Sequence, residues 1–244
     1  MNAPFMKDNP APAGRRIMAL WFPLLPTERI LRARLGRAWR SEARREGKGA
    51  RQPLAVSRRE NNTQRIAALD EAAAALGLRP GMGVADARAM HPGLEVIEAE
   101  PEADRRLLES LADWCDRYTP LVALCEEDGL FLDITGCVHL FGGEQAMLDE
   151  VLKRLYSQGF RARAGLASTP GMAWAAARFL RPVPIGTGAE APALAGLPPA
   201  ALRLAPPTCK GLESLGLRTV GALMETPRAP LVRRFGKLPV MRLD

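Results

Sequence analysis

With 244 residues, 47% hydrophobic and 25% charged, the chain is long enough to bury a substantial core in one large or two small domains, and its composition excludes a largely disordered protein. The formal net charge of +7 is unevenly spread: residues 29–59 carry eleven Lys/Arg against two Glu, residues 60–208 thirteen against twenty acids, and residues 209–244 seven against three. Basic flanks around an acidic middle fit a nucleic-acid binder, and they fit solvated helix faces equally well.

Residues 1–14 lack the basic and apolar regions of a signal peptide and read as a disordered tail. The apolar run at 17–25 is too short to span a bilayer and is interrupted by Pro23, so a cytoplasmic protein is expected. Residues 16–22 (RIMALWF) read as the first strand. From Thr27, an N-cap residue, Ile30, Leu31, Leu35, Ala38 and Trp39 recur at helical spacing, which predicts an amphipathic helix over 27–48 with Glu42 and Glu46 pairing on its Arg-rich face. Strands follow at 52–57 and 64–69 around an Asn61-Asn62-Thr63 turn, then a helix at 70–76 stopped by Gly77. A turn at 79–83, a helix at 84–90 and a strand at 94–97 complete this region.

The stretch 102–118 places Leu107, Leu108, Leu111, Trp114 and Cys115 on one helical stripe, with Trp114 and Tyr118 read as core residues. At 123–144 (ALCEEDGLFLDITGCVHLFGGE), Leu124, Leu130, Leu132 and Ile134 alternate with polar or small residues, a β-hairpin with an acidic turn whose tight connection falls at Gly129. A second amphipathic helix at 143–159 buries Met147, Val151, Leu152 and Leu155, and 160–167 alternates as a last strand. Two helices over one face of a sheet of non-sequential strands is α+β, ferredoxin-like in connectivity. Residues 182–207 have linker composition. Beyond them Leu215-Gly216-Leu217 reads as the turn of a helix-hairpin-helix element, which presents backbone N–H groups to a phosphate. The four cysteines form no C-x-x-C pair and have no histidine at zinc-finger spacing, so free, buried thiols are expected.

Carboxylates at a strand end beside a turn are raw material for a two-metal phosphoryl-transfer site. The hairpin also carries a resemblance: Asp128-Gly129-Leu130-Phe131-Leu132-Asp133-Ile134-Thr135 resembles the palm hairpin of Y-family (UmuC-like) DNA polymerases, D-E-A-F-L-D-[VI]-T, and GCVHLFGGE is closer still to the ImuB-type branch. The order strand, strand, helix, G-L-R-P-G-M, helix, Pro resembles the fingers of that family, and 208–237 resembles its thumb. The resemblance implies a palm at 15–25 and 99–182, small α/β fingers at 26–98, a linker and helical thumb at 183–244, and a little finger absent from this chain.

What differs is as informative. Asp128 takes the place of one metal-binding Asp, but its catalytic Glu neighbour is Gly129, and aligning on Glu28 puts Ala19 and Trp21 at the first-strand Asp positions. No carboxylate lies between Asp8 and Glu28, so a small register slip restores nothing. Glu126 and Glu127 are poor substitutes because strand alternation limits which can share a face with Asp128. The Tyr and Arg that reach the nucleotide triphosphate become Glu71 and Ala74, and the Lys of the family's N-K pair becomes Pro170, with Trp174 at its second Lys. No metal, nucleotide or cofactor is therefore expected. The resemblance implies a non-catalytic scaffold for DNA-damage-induced (SOS) translesion synthesis. It would join the sliding clamp, an ImuA-type RecA-like protein and an error-prone DnaE-type polymerase, and hold DNA backbone through Lys210, Gly216, Arg218, Thr219, Arg233, Arg234 and Lys237. An active polymerase with an atypical metal site and a protein-binding module without DNA affinity remain open alternatives.

Overall fold

A computed structural model describes residues 14–40 and 51–243. Its elements in chain order are β1 (Ile17–Trp21), α1 (Leu25–Leu35), β2 (Leu54–Glu60), β3 (Thr63–Leu69), α2 (Glu71–Ala75), α3 (Val84–Met90), β4 (Glu95–Glu98), α4 (Pro101–Cys115), β5 (Val122–Cys125) and β6 (Gly129–Asp133). The chain continues through α5 (Glu144–Ser157), β7 (Arg163–Ala167), α6 (Pro170–Phe179), α7 (Glu190–Ala195), α8 (Pro206–Ser214), α9 (Val220–Glu225), α10 (Arg228–Phe235) and α11 (Leu238–Leu243).

One antiparallel sheet runs β5-β6-β1-β7, with α4 entering before β5 and α5 before β7, which is the expected ferredoxin-like order. Met18 and Leu20 of β1, Phe22 just after it, and Leu130 and Leu132 of β6 point to one face, where Leu108 and Leu111 of α4 and Met147, Val151 and Leu155 of α5 close the core. The opposite face is covered too. Ile17 and Ala19 pack on Met172, Ala173 and Ala177 of α6, so β1 is buried on both sides and its sequence is apolar throughout. For the same reason the last strand does not alternate: Ala164, Gly165, Leu166 and Ala167 are all buried. A Cβ on Gly165 would lie 2.3 Å from Ala173 O and 2.4 Å from Ala177 N, so the approach of α6 to β7 requires a residue without a side chain.

A smaller sheet, β3-β2-β4, stands beside the first, with β2 and β4 parallel. Asn61 and Asn62 both take positive φ, 45° and 64°, as a two-residue hairpin of the primed type demands. Asp70 joins this sheet to α2, its Oδ1 accepting from Ala73 N at 2.8 Å and Leu54 N at 3.1 Å. Asp70→Ala should therefore destabilise the fold by about 1–2 kcal/mol in urea titrations, from the lost cap and the stranded Leu54 N–H.

Four local expectations need correction. The first helix begins at Leu25 and stops at Leu35, where Gly36 takes φ 86°; Glu42, Glu46 and the rest of 41–48 lie outside the described residues. Thr27 is not its cap but a buried residue of the first turn, its hydroxyl donating to Leu24 O at 3.0 Å. Gly129 does not make the hairpin connection; the turn is Glu126 to Asp128, with Glu126 at φ 58°, and Gly129 opens β6. Cys115, Cys125 and Cys209 are buried free thiols, while Cys137 is half-buried.

The C-terminal helices share a core with the large sheet: Leu202, Leu212, Val220, Leu223 and Leu231 pack with Cys125, Trp174 and Ala175, and with Phe131 at the margin. Among the described residues no helix is long and apolar enough to cross a membrane.

Candidate functional site: an acidic hairpin closed by arginine and tryptophan

Register places the sites of interest together. Trp21 pairs with Gly129 across β1 and β6, and Ala19 with Phe131. The Trp21 indole folds over the hairpin turn and its Nε1 donates to Asp128 Oδ2 at 2.7 Å. From α6, Arg178 donates through Nη2 to Asp128 Oδ1 at 3.0 Å and to Glu126 Oε2 at 3.2 Å. Glu126 and Asp128, two residues apart in the turn, thus meet on one guanidinium, and Glu127 between them does not join them.

Aromatic rings hold that guanidinium. It lies 4.0 Å from the Trp174 ring centroid and 5.0 Å from that of Trp21. A second arginine, Arg203, sits 3.6 Å from Glu126 Oε1, donates to Cys125 Sγ at 3.2 Å and stacks over Trp174 and Phe131. Burial pushes the Asp128 carboxyl above its ordinary range, opposed by the Trp21 hydrogen bond and the Arg178 charge, and burial lowers Arg178 in turn. Each carboxylate oxygen of Asp128 thus accepts from one protein donor.

Two positions beside the turn are unfavourable for a further carboxylate. A Cβ on Gly129 would lie 3.0 Å from both Cys125 O and Leu20 O, so the backbone is packed for glycine. Ala19, 2% exposed, is sealed beneath α6, where an ionised Asp would be buried without a partner. Among the described residues no group of three or more His, Cys, Asp or Glu is arranged to hold a metal.

Glu71 and Ala74 lie on α2, apart from the hairpin. Glu71 bonds Arg40 Nη1 through Oε2 at 2.7 Å and Arg161 through Oε1. Arg40 also donates Nε and Nη2 to Glu28 Oε1, which accepts from Arg161 N at 2.8 Å as well. Ala74 is exposed, and Pro170 occupies the first turn of α6, where its missing N–H costs nothing. Glu71 is thus an anion already paired with two arginines.

In the C-terminal helices, α8 and α9 flank Leu215-Gly216-Leu217, with Gly216 at φ 82° and the Thr219 hydroxyl accepting from Ala222 N at 3.2 Å. Lys210, Arg218, Arg233, Arg234 and Lys237 are all exposed and none makes an ion pair among the described residues. The residues that sequence reading missed are Arg178 and Arg203. The Trp174-to-Arg178 spacing of i,i+4 on a helix was one available signal, while Arg203 lies far from the hairpin in sequence and carries none.

A ferredoxin-like sheet bearing an acidic hairpin, with a small α/β unit inserted after its first strand and a helix-hairpin-helix unit behind it, is the core of a Y-family DNA polymerase. The model of the impB/mucB/samB family matches residues 40–178, and the chain belongs to that family. It is 49% identical over 170 residues to Protein ImuB of Caulobacter vibrioides (strain NA1000 / CB15N), covering 69% of this chain and 37% of that protein. It is 30% identical over 169 residues to DNA polymerase IV 2 of Mesorhizobium japonicum, covering 67% of this chain and 41% of the relative. The chain therefore spans little more than a third of the length of the ImuB relative. Among solved structures it resembles DinB from Sulfolobus solfataricus at a TM-score of 0.70 and 15% identity, covering 93% of this chain and 65% of that one. An insertion ternary complex of Dbh DNA polymerase matches at a TM-score of 0.72 and 14% identity, covering 93% and 67%.

Proposed function

We propose that this chain is a non-catalytic Y-family polymerase-like scaffold in DNA-damage-induced translesion synthesis. In this reading residues 15–25 and 99–182 serve as palm, 26–98 as fingers and 183–244 as linker and thumb. Its partners are the sliding clamp, an ImuA-type RecA-like protein and an error-prone DnaE-type polymerase that performs the chemistry. The observation that carries the reading is the occupation of Asp128 by Trp21 and Arg178. Two-metal catalysis needs divalent ions bridging several carboxylates and the substrate phosphates. Here one guanidinium and one indole N–H engage Asp128, and the same guanidinium Glu126, instead. The exposed cations of the helix-hairpin-helix unit, Lys210, Arg218, Arg233, Arg234 and Lys237, with the turn at Gly216 and Thr219, hold DNA through its backbone.

The test joins two assays. With primer–template DNA, Mg²⁺ or Mn²⁺ and all four dNTPs, no extension is expected, and equilibrium dialysis should find no Mg²⁺-dependent dNTP binding. The same DNA should be retarded at low salt, with log affinity falling linearly in log salt concentration. Arg218→Ala with Arg234→Ala should shrink that slope by about two. Extension that vanishes in Asp128→Ala would show a working metal site and end the scaffold reading.

A further inference from the structure

Between the two sheets lies a cleft of about 810 Å³ that opens from the hairpin turn, whose acids close one end of it. Its apolar floor is formed by Phe22, Val56, Leu108 and Leu124, and the turn acids Glu126, Glu127 and Asp128 line one end, with Glu102 and Asp104 on another wall. The two arginines of the lining are engaged by acids of their own elements, Arg58 by Glu60 at 2.5 Å and Arg105 by Glu109 at 3.0 Å. Asp104 is paired with Arg29 and Asp128 with Arg178, but Glu102 and Glu127 have no partner among the described residues. The rim is thus net negative where the fold's nucleotide-binding relatives would have to admit a phosphate.

The cleft adjoins an open sheet edge. β5 is the terminal strand of its sheet, and Leu121 and Leu124 are 63% and 37% exposed. Asp133 N donates to Leu121 O at 2.9 Å, and the antiparallel register then turns the backbone groups of residues 121, 123 and 125 towards β6. Those of Val122 and Leu124 point outward, where no strand of the described residues pairs with them.

We propose that this edge and cleft dock an extended segment of a partner protein whose cleft-facing positions, every second residue, carry apolar side chains together with Lys or Arg. Main-chain hydrogen bonds to Val122 and Leu124 extend the sheet, apolar side chains enter the cleft over Leu124, and the cations meet Glu102 and Glu127. Charge complementarity selects this occupant: unneutralised carboxylates repel nucleotide and nucleic-acid phosphates and attract ammonium or guanidinium groups. The volume also falls within the range of about 300–1,000 Å³ typical of ligand-sized pockets. The proposal rests on the non-catalytic reading, since a working polymerase must keep the space beside the hairpin for nucleotide.

Fluorescence anisotropy with the whole chain tests it, using a fluorescein-labelled peptide with Leu and Lys taking turns at every second position and Thr between them, and a matched peptide with Glu in place of Lys. The basic peptide should bind saturably and the acidic one should not. Glu102→Lys with Glu127→Lys should weaken binding by about tenfold or more. Leu124→Pro, which removes an outward N–H while sparing the ladder to β6, should weaken it without altering the circular dichroism of the chain. Equal binding of the two peptides, or affinity indifferent to both variants, would overturn the docking site and leave the scaffold reading intact. A concentration-dependent dimer abolished by Leu124→Pro would also overturn it, assigning the edge to a second copy of the chain. Mg²⁺–dATP competing with the peptide would overturn both readings at once.

Discussion

Arg40→Ala should lower the unfolding free energy by about 3–5 kcal/mol, because it strands a buried carboxylate rather than merely deleting a contact. Glu28 is fully buried, and its Oε1 collects two donors from Arg40 and the backbone N–H of Arg161, while Oε2 has no partner. Burial pushes the Glu28 carboxyl above its ordinary value of 4.5 even with Arg40 in place. Without that arginine the only inexpensive folded form is the protonated one. A raised folded pKa means that the folded chain holds the proton more tightly than the unfolded chain, so the penalty is absent in acid and grows as pH rises through the raised value. The deficit of Arg40→Ala should therefore be larger in urea titrations near about pH 8 than near about pH 5.5. Glu71 moves the opposite way: burial raises it, but hydrogen bonds and charge from Arg40 and Arg161 together hold it below 4.5. Its stabilisation is complete above that value and is lost only at lower pH, so it does not mask the Glu28 effect in the chosen window. An Arg40→Ala deficit independent of pH would remove the buried carboxylate as the cause.

Gly165→Ala is the second large effect, a loss of at least about 3 kcal/mol from a single added methyl group. The new carbon would stand 2.3 Å from Ala173 O and 2.6 Å from Ala176 Cβ, atoms of the α6 backbone and its shortest side chains, so no flexible side chain can swing aside. Relief requires lifting α6 from β7, which uncovers Met172, Ala173 and Ala177 on one face and shifts Arg178 away from Asp128 on the next turn. Chemical denaturation and near-ultraviolet circular dichroism of Trp174 should report both. Wild-type stability in Gly165→Ala would mean that α6 does not sit as closely as its backbone indicates.

Much of this architecture is legible in the chain because its signals are local. Leu130 and Leu132 alternate onto the α4–α5 face, Asp70 announces a helix start and Asn61-Asn62 a primed turn. Misreadings arise where a distant element decides. Alternation fails at 163–167 because α6 covers the second face of the sheet, and helical spacing over 27–48 overruns Gly36, whose φ of 86° the period does not encode. The candidate site is harder still. That Ala19, Trp21 and Gly129 carry no carboxylate can be read one by one, but what surrounds Asp128 cannot. Arg178 is 50 residues from Asp128 in sequence and Arg203 is 78 from Cys125, and only the folded chain brings them to one turn.

The common core of Trp174, Leu212, Val220 and Leu223 has a mechanical corollary. Swinging the helix-hairpin-helix unit open would draw Arg203 off Glu126 and bare Trp174 to water, a cost of several kcal/mol at ordinary rates of apolar exposure. The helix-hairpin-helix unit is thus braced against the sheet when the chain folds, which suits the scaffold proposed above, whereas an enzyme advancing one nucleotide at a time must loosen and close its hold at every step.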